Sequence, residues 1–445
     1  MDIIKELSQV IKISCTSDAI RLFDAMFRKI NFSTEILSFN GVDNLYAFRS
    51  SALANRASAL VSRTSAPVNS AFESEACASA SEAHASALVN RTLLFLGHAD
   101  VVPVGAGWTR RQGYLADGCV WGRGAVDMKG AIVCFIEALK RNPEGNVAVI
   151  ISGDEEGTAE FGTPAVLAHL QSERRMPHVD FALIGEPTSS SYIGDSVKVG
   201  CRGSLNVSAT AHGSAGHVAY PQFTKNAATA VIQFLNHVDA HMRTVHAGDC
   251  HLEITSVVAD SGATNVVPAI ARGGFNIRFT KHTSAEQLEA EITQIAGQYC
   301  GVEVAYEVAC RPFECGFDGE GQGGWPKEGQ GGCLYGSNGD RVALNENMND
   351  LANEYSVGLA NENNNGLLAK LVASVRAATG KYPSITTTGA NSDAKFVRAI
   401  SSFAELGLRY KTAHQVDEHV AVSDLYELIE IYAKFLSDFF INTGY

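Results

Sequence analysis

The sequence predicts an α/β protein with a mostly parallel central sheet and a smaller α+β domain inserted into it. Three observations carry this. Apolar runs of strand length, Leu93-Leu94-Phe95-Leu96, VAVIIS (147–152) and DFALI (180–184), alternate with helical segments over 129–141 and 163–173. Those runs are continuously apolar, as expected of strands covered on both faces in a parallel sheet. Between about 203 and 309 the pattern changes to alternating strands.

Taken in order, residues 2–30 read as two helices broken at Ser14–Asp18, where Ser17 or Asp18 can cap the second. Phe32 to Phe48 reads as two short strands around Asn40-Gly41. Residues 51–90 are rich in Ala and Ser. The near-repeat SALANRA (51–57), SALVSRT (58–64) and SALVNRT (86–92) reads as a duplicated surface insertion in a hairpin ending at the His98 strand. The inserted region runs SLNVSATA, a helix over 225–242, HLEITSVV, ARGGFNIRF, a helix over 284–298, and GVEVAYEVA. That β-α-β-β-α-β order is ferredoxin-like, and its sheet edge invites pairing with a second copy. Residues 311–365 are again low in complexity and read as loop. A helix resumes over Leu367–Thr379, PSITTTGANSDAKF gives a strand and turn, and Leu425–Phe440 closes the chain as an amphipathic helix. The expected domains are 1–202 and 311–445, forming one catalytic domain in two parts, and 203–310, a lid and dimerisation domain.

With 445 residues the chain is long enough for two domains, and its net charge of −13 argues against nucleic acid or anionic membrane as partners. No apolar stretch approaches about 18 residues. The opening MDIIKELSQVIKISCTSDAI lacks a basic start, a long apolar run and a small-residue cleavage site. The ten cysteines fall without C-x-x-C pairs, which fits neither a zinc ribbon nor a secreted disulfide frame. The expected location is the cytoplasm.

The chemistry gathers where the predicted strands end. The first runs into Gly97-His98-Ala99-Asp100, with Asp127 following a Gly-rich turn; the second into Asp154-Glu155-Glu156; the third into Gly185-Glu186; and His414 lies in a late polar loop. Imidazoles and carboxylates at the ends of buried strands are expensive unless something pairs them, and open α/β sheets bind ligands at this edge. Two His and several carboxylates without thiolates suit zinc or manganese, as two ions sharing a carboxylate.

GHADVVP…GRGAVDMKG, ISGDEEGTAEFGT, LIGEPTSS, AGHVAYP, TNVVP and TGANSDAKF, in this order, resemble the dinuclear-zinc aminoacylase and carboxypeptidase-G2-like superfamily. Within it the chain is most similar to the succinyl-diaminopimelate desuccinylases, over nearly its whole length apart from 51–90 and 311–365. The resemblance implies a zinc-peptidase-like catalytic domain and two Zn²⁺ per subunit, with Co²⁺ able to take one site. His98 and Glu186 would hold one ion, Glu156 and His414 the other, and Asp127 would bridge them. It implies Asp100 as the residue orienting His98, whose loss would lower metal affinity about 10- to 100-fold. Glu155 would be the general base; a shifted register would give that role to Asp154 or Glu156. His217 is implied as an oxyanion donor that reaches the site of the partner in a homodimer.

Two dipositive ions against the carboxylates of Asp127, Glu156 and Glu186 leave such a site formally positive, which suits a small anionic substrate. Arg202 and Arg278 are candidates to grip its carboxylates, with Tyr220, Asn265 and Gly389 as neighbours. The chain departs from the desuccinylase pattern at Cys201, Asn391 and Tyr410, positions the resemblance assigns to substrate and not to metal. The implied reaction is hydrolysis of N-succinyl-LL-2,6-diaminopimelate, a step toward lysine and diaminopimelate. A related deacylase, acetylornithine deacetylase in particular, or a dipeptidase is the alternative. A non-catalytic descendant would have lost a ligand or the base, and all six positions are filled.

Overall fold

The computed structural model describes residues 3–50, 91–315, 362–389 and 391–440. These fall into two compact units. The first comprises residues up to Val199, Cys315–Thr386 and Ser392 onward; the second comprises Gly200–Glu314 and Thr387–Asn391. The expected insertion at 51–90 and most of 311–365 lie outside the described residues.

The first unit is built on an eight-stranded sheet. Its spatial order is Ser33–Phe39, Val42–Arg49, Asn146–Ser152, Thr92–His98, Phe181–Ile184, Phe403–Glu405, Ser196–Lys198 and Ser384–Thr386. The four strands from Asn146–Ser152 to Phe403–Glu405 run parallel. Thr92–His98 and Asn146–Ser152 are buried at every residue, which is why their interiors, Leu93 to Gly97 and Val147 to Ile151, are apolar without alternating. The helix Lys129–Arg141 covers one face, with Phe135 stacked on Phe95 at 3.9 Å between ring centroids. The helix Val422–Phe440 buries Leu425, Leu428, Tyr432, Phe435 and Phe439, the three-to-four spacing of an apolar stripe. Each such side chain contributes roughly 1.5–3 kcal/mol.

Several local expectations change. Asn40 and Gly41 do form a two-residue hairpin turn, both with positive φ (49° and 84°), the geometry that favours Asn-Gly. The second helix begins at Thr16, with Cys15 at its cap position and no side-chain cap bond; Ser17 and Asp18 lie inside its first turn. Val42–Arg49 and Thr92–His98 are not a hairpin, because Asn146–Ser152 lies between them and pairs with both. The late helix starts at Glu362, because the weak helix propensity of Asn, a few tenths of a kcal/mol per residue, does not stop a helix already anchored further on. A three-stranded sheet of Tyr114–Ala116, Cys119–Trp121 and His419–Ala421 was not expected.

The second unit is a four-stranded antiparallel sheet in the order Cys250–Val258, Ile270–Phe279, Gly203–His212, Val302–Cys310. The helices Ala227–Val245 and Ala285–Ala296 cover one face, burying Val231, Phe234, Val238, Leu288 and Ile292 with Leu205, Val207, Phe275 and Ile277. Asn226 and Ser284 cap them by accepting from the backbone N–H groups of Thr229 and Gln287. The added pair Gly200–Cys201 with Phe313–Glu314 carries this unit a few residues past 203 and 310 at both ends.

Candidate metal centre

The parallel register brings the strand-end residues to one level. His98 pairs with Ser152, and Leu96 pairs with Ile184, so Glu186, two residues beyond, comes level with His98. His98 Nδ1 donates to the backbone carbonyl of Asp100 at 2.9 Å. That fixes the ring and turns Nε2 toward Asp127 Oδ1 at 3.1 Å and Glu186 Oε1 at 3.8 Å. His414, held in a left-handed conformation at φ 61°, points Nε2 at Glu156 Oε1 (2.8 Å) and at Asp127 Oδ2 (3.3 Å). The two oxygens of Asp127 are thus divided between the two imidazoles. Donor atoms of His98, Asp127 and Glu156, and of His98, Glu155 and Glu186, lie within 4.8 Å of one another.

Asp100 acts differently from the expectation. Its carboxylate Oδ1 lies 3.7 Å from His98 Nδ1, so the backbone carbonyl does the orienting. Oδ2 instead accepts from the N–H groups of Glu155 (3.0 Å) and Glu156 (2.9 Å), and this pins the acidic loop to the His98 strand. Asp154 is spent on that loop too, accepting from the N–H groups of Thr158, Glu160 and Phe161. Glu155 and Glu156 both reach the donor groups of the centre, Glu155 beside Glu186 and Glu156 beside Asp127.

Sequence reasoning missed the support beneath Asp127. Glu418 is fully buried and bound to Arg123 at 2.7 Å; its Oε1 accepts from the N–H groups of Val126 (2.9 Å) and Asp127 (3.3 Å). Arg123 Nη2 also donates to the His414 carbonyl at 3.3 Å. The unexpected three-stranded sheet delivers this pair by setting His419 opposite Trp121. The turn Asp117-Gly118 was its only sequence signal. Asp393 is a second omission: buried, it accepts from Thr163 Oγ1 at 2.5 Å.

The electrostatics of the centre are set by burial and by its mix of carboxylates and imidazoles. Burial pushes the carboxyl groups of Glu155, Glu156 and Glu186 up, and neighbouring carboxylates add to it; Glu155 reaches about 8. Burial also raises Asp393 to about 6. Asp127 goes the other way, because hydrogen bonds from His414 and His98 outweigh its burial and hold it well below the carboxylate range. His414 is raised to about 9, mainly by its hydrogen bond to Asp127. Burial opposes charge on His98, but Asp127, Glu186, Glu155 and Asp100 raise it well above the usual value. Several carboxylates share two imidazoles in a desolvated pocket, an arrangement divalent cations neutralise. The donor set of nitrogen and oxygen without thiolate fits zinc and its neighbours.

The remaining predicted residues lie in the second unit. Arg278 projects from the face of the sheet opposite Ile277 and Phe279, and its Nη1 is 3.5 Å from Asn391 Oδ1. Cys201 Sγ donates to that same oxygen at 2.7 Å. Burial first, and then Arg278, lowers the pKa of Arg202, whose buried Nε meets no hydrogen-bond partner among the described residues. His217 Nδ1 accepts from the Ala219 N–H at 3.1 Å, and Tyr220 lies beside it with ring centroids 5.7 Å apart. The Asn265 carbonyl accepts from the Val218 N–H at 3.1 Å. Gly389 has φ 105°, which a side chain would strain. In the first unit Tyr410 is half exposed, in the turn before His414.

Solved structures share this fold. A tripeptidase from Staphylococcus aureus is 14% identical with a TM-score of 0.63, and 98% of each chain is covered. An M20 family metallo-carboxypeptidase from Sulfolobus solfataricus is 12% identical with a TM-score of 0.62, covering 99% of this chain and 100% of that one. Human carnosine dipeptidase 1 is 13% identical with a TM-score of 0.59, covering 98% and 96%. The family model that matches, over residues 94–438, spans every strand end that supplies the centre, and the chain belongs to peptidase family M20/M25/M40.

Proposed function

We propose that the protein is a zinc-dependent amide hydrolase that converts N-succinyl-LL-2,6-diaminopimelate and water to succinate and LL-2,6-diaminopimelate. The observation that carries the hydrolytic part is the divided Asp127 carboxylate, one oxygen toward His98 and the other toward His414. In this reading His98 and Glu186 hold one zinc, Glu156 and His414 the second, and Asp127 both; cobalt can take one site. Bound there, the ions would polarise the amide carbonyl and make water a stronger acid.

The chain's own residues supply the rest. Glu155, freed from loop duty by Asp100 and Asp154, takes the proton of the attacking water and returns it to the leaving nitrogen. Arg202 and Arg278 grip the substrate's carboxylates, a reading supported by the buried Nε of Arg202, which has no hydrogen-bond partner among the described residues. The choice of the succinyl substrate rests on the motifs GRGAVDMKG, DEEGTA and GEPTSS. The working unit in this reading is a cytoplasmic homodimer, with His217 serving the partner's site. The edge strand Cys250–Val258 supports it, exposing Ile254, Val257 and Val258.

The test is hydrolysis of N-succinyl-LL-diaminopimelate and of N-acetylornithine by the zinc-loaded protein, with a chelator control and sedimentation of the same sample. Chelator-sensitive turnover of the succinyl compound by a dimer is expected. Turnover of the acetyl compound alone would replace the substrate and keep the hydrolytic reading. Turnover that survives chelation would overturn the metal reading.

A further inference from the structure

The second unit holds a cluster that amide hydrolysis leaves unused. His241 stands in the last turns of the helix Ala227–Val245, His246 is the residue at that helix's C-terminal cap, and Glu291 projects from the helix Ala285–Ala296. His241 Nε2 lies 2.8 Å from Glu291 Oε2, and His246 Nε2 lies 2.7 Å from the same oxygen. The two rings are 5.9 Å apart between centroids, inclined at 67°. Surrounding groups set their directions. Gln287 Nε2 donates to Glu291 Oε1 at 2.9 Å, and Thr283 Oγ1 stands 3.5 Å from His246 Nδ1. Among the described residues no lysine or arginine forms an ion pair with Glu291.

We propose that His241, His246 and Glu291 form a mononuclear zinc site that ties together the two helices of the second unit. Two imidazole nitrogens and one carboxylate oxygen are a common zinc donor set. Zinc with ligands at about 2.0–2.2 Å in a tetrahedron sets its donor atoms about 3.3 Å apart, so the two contacts open by only about half an ångström. His246 is 6% exposed, whereas the side chains of His241 and Glu291 are each 24% exposed, which leaves the fourth position to water and gives the ion a route in. Gln287 holds the carboxylate and Thr283 meets the far nitrogen of His246, the outer contacts that orient metal ligands. The site shares no residue with the centre of the first unit. Bound there, the ion joins Ala227–Val245, the turn after it and Ala285–Ala296 by coordinate bonds in place of two hydrogen bonds.

The experiment is zinc content by elemental mass spectrometry at a buffered free-zinc level, on the full chain and on its variants. The wild-type chain is expected to bind one more equivalent than His241→Ala or Glu291→Gln. His241→Ala leaves the His246–Glu291 pair intact, and circular dichroism verifies its fold. A His98→Ala/His414→Ala chain, without imidazole ligands in the first unit, is expected to keep one equivalent and to lose it when His241→Ala is added. In that chain zinc raises the thermal midpoint only while His241 is present. Gln287→Ala, which keeps all three ligands, lowers zinc affinity about 10- to 100-fold. Equal zinc in the wild type and both single variants, or none in the His98→Ala/His414→Ala chain, would overturn the proposal. Loss of the first unit's ions alone would overturn the catalytic reading and leave this site standing.

Discussion

The carboxylate centre of the first unit and the arginine pair of the second solve opposite problems with the same means. At the strand ends, burial raises Glu155, Glu156 and Glu186, and neighbouring carboxylates add to it. In the second unit, burial and a neighbouring guanidinium lower Arg202, and among the described residues its Nε meets no hydrogen-bond partner. One region gathers carboxyl groups around two imidazoles, the other sets two guanidinium groups near each other. Neither arrangement stabilises the fold by itself, and each becomes favourable once a ligand of opposite charge is bound. The difference separates two tasks: the first centre is suited to cations and to moving a proton, the second to gripping a carboxylate. Glu155→Ala tests that division most severely. It removes proton transfer and leaves His98, Asp127, Glu156, Glu186 and His414 in place, so kcat should fall by at least about 10² while bound zinc is unchanged. Steady-state kinetics beside metal content measure both, and full activity in the variant removes Glu155 from the mechanism.

The second region answers to a different readout. Arg278→Met removes a guanidinium that lies 3.5 Å from Asn391 and otherwise faces away from the core. A hydrogen bond to a charged group is worth about 1.5–3 kcal/mol, so KM for a dicarboxylate substrate should rise about 10- to 100-fold, with kcat little changed. Zinc content should not move. A variant that loses kcat at unchanged KM would show that the pair is not a carboxylate grip, and the comparison between the regions would fail with it.

Which parts of the two regions were legible follows from how locally each is encoded. The Thr92–His98 strand announces itself because both faces are buried, and the abrupt change to His98-Ala99-Asp100 marks its end. The three polar strand ends could be read as one site because parallel strands finish on the same edge. Roles set by long-range pairing were not legible. Arg123 and Glu418 are 295 residues apart, and only the pairing of His419–Ala421 with Cys119–Trp121 brings them together. Asp100 sits where a ring-orienting carboxylate was expected, but a one-dimensional reading cannot separate its backbone carbonyl from its side chain. The same limit hid His241, His246 and Glu291, because a five-residue step along one helix and a residue from another have no fixed spacing in sequence. The ferredoxin-like order, by contrast, followed from periodicity, since Gly203–His212 and Ile270–Phe279 alternate between buried and open positions and both helices bury one stripe.

The pH dependence of stability is the smallest of the three effects, and it separates the two regions without any substrate. In the ion-free protein Glu155 titrates at about 8, above the ordinary 4.5, and His414 at about 9, above the ordinary 6.5. Each binds its proton more tightly folded than unfolded, so its contribution is complete below the ordinary value and is lost as pH rises through the folded one. Glu156, Glu186 and His98 are raised as well and act in the same direction. Asp127 is lowered, so above its ordinary 3.8 it is ionised in both states and its contribution stays constant. The thermal midpoint of the chelated protein should therefore fall by a few degrees as pH rises from about 5 to 9. Zinc should stabilise progressively more over the same interval, because its ligands bind deprotonated. Arg278→Met should leave both slopes unchanged, since Arg278 does not figure among the main causes of the carboxyl shifts of Glu155, Glu156 and Glu186. A chelated protein whose midpoint is flat or rises with pH would mean that the strand-end carboxylates are compensated without an ion, and the contrast with the arginine pair would no longer hold.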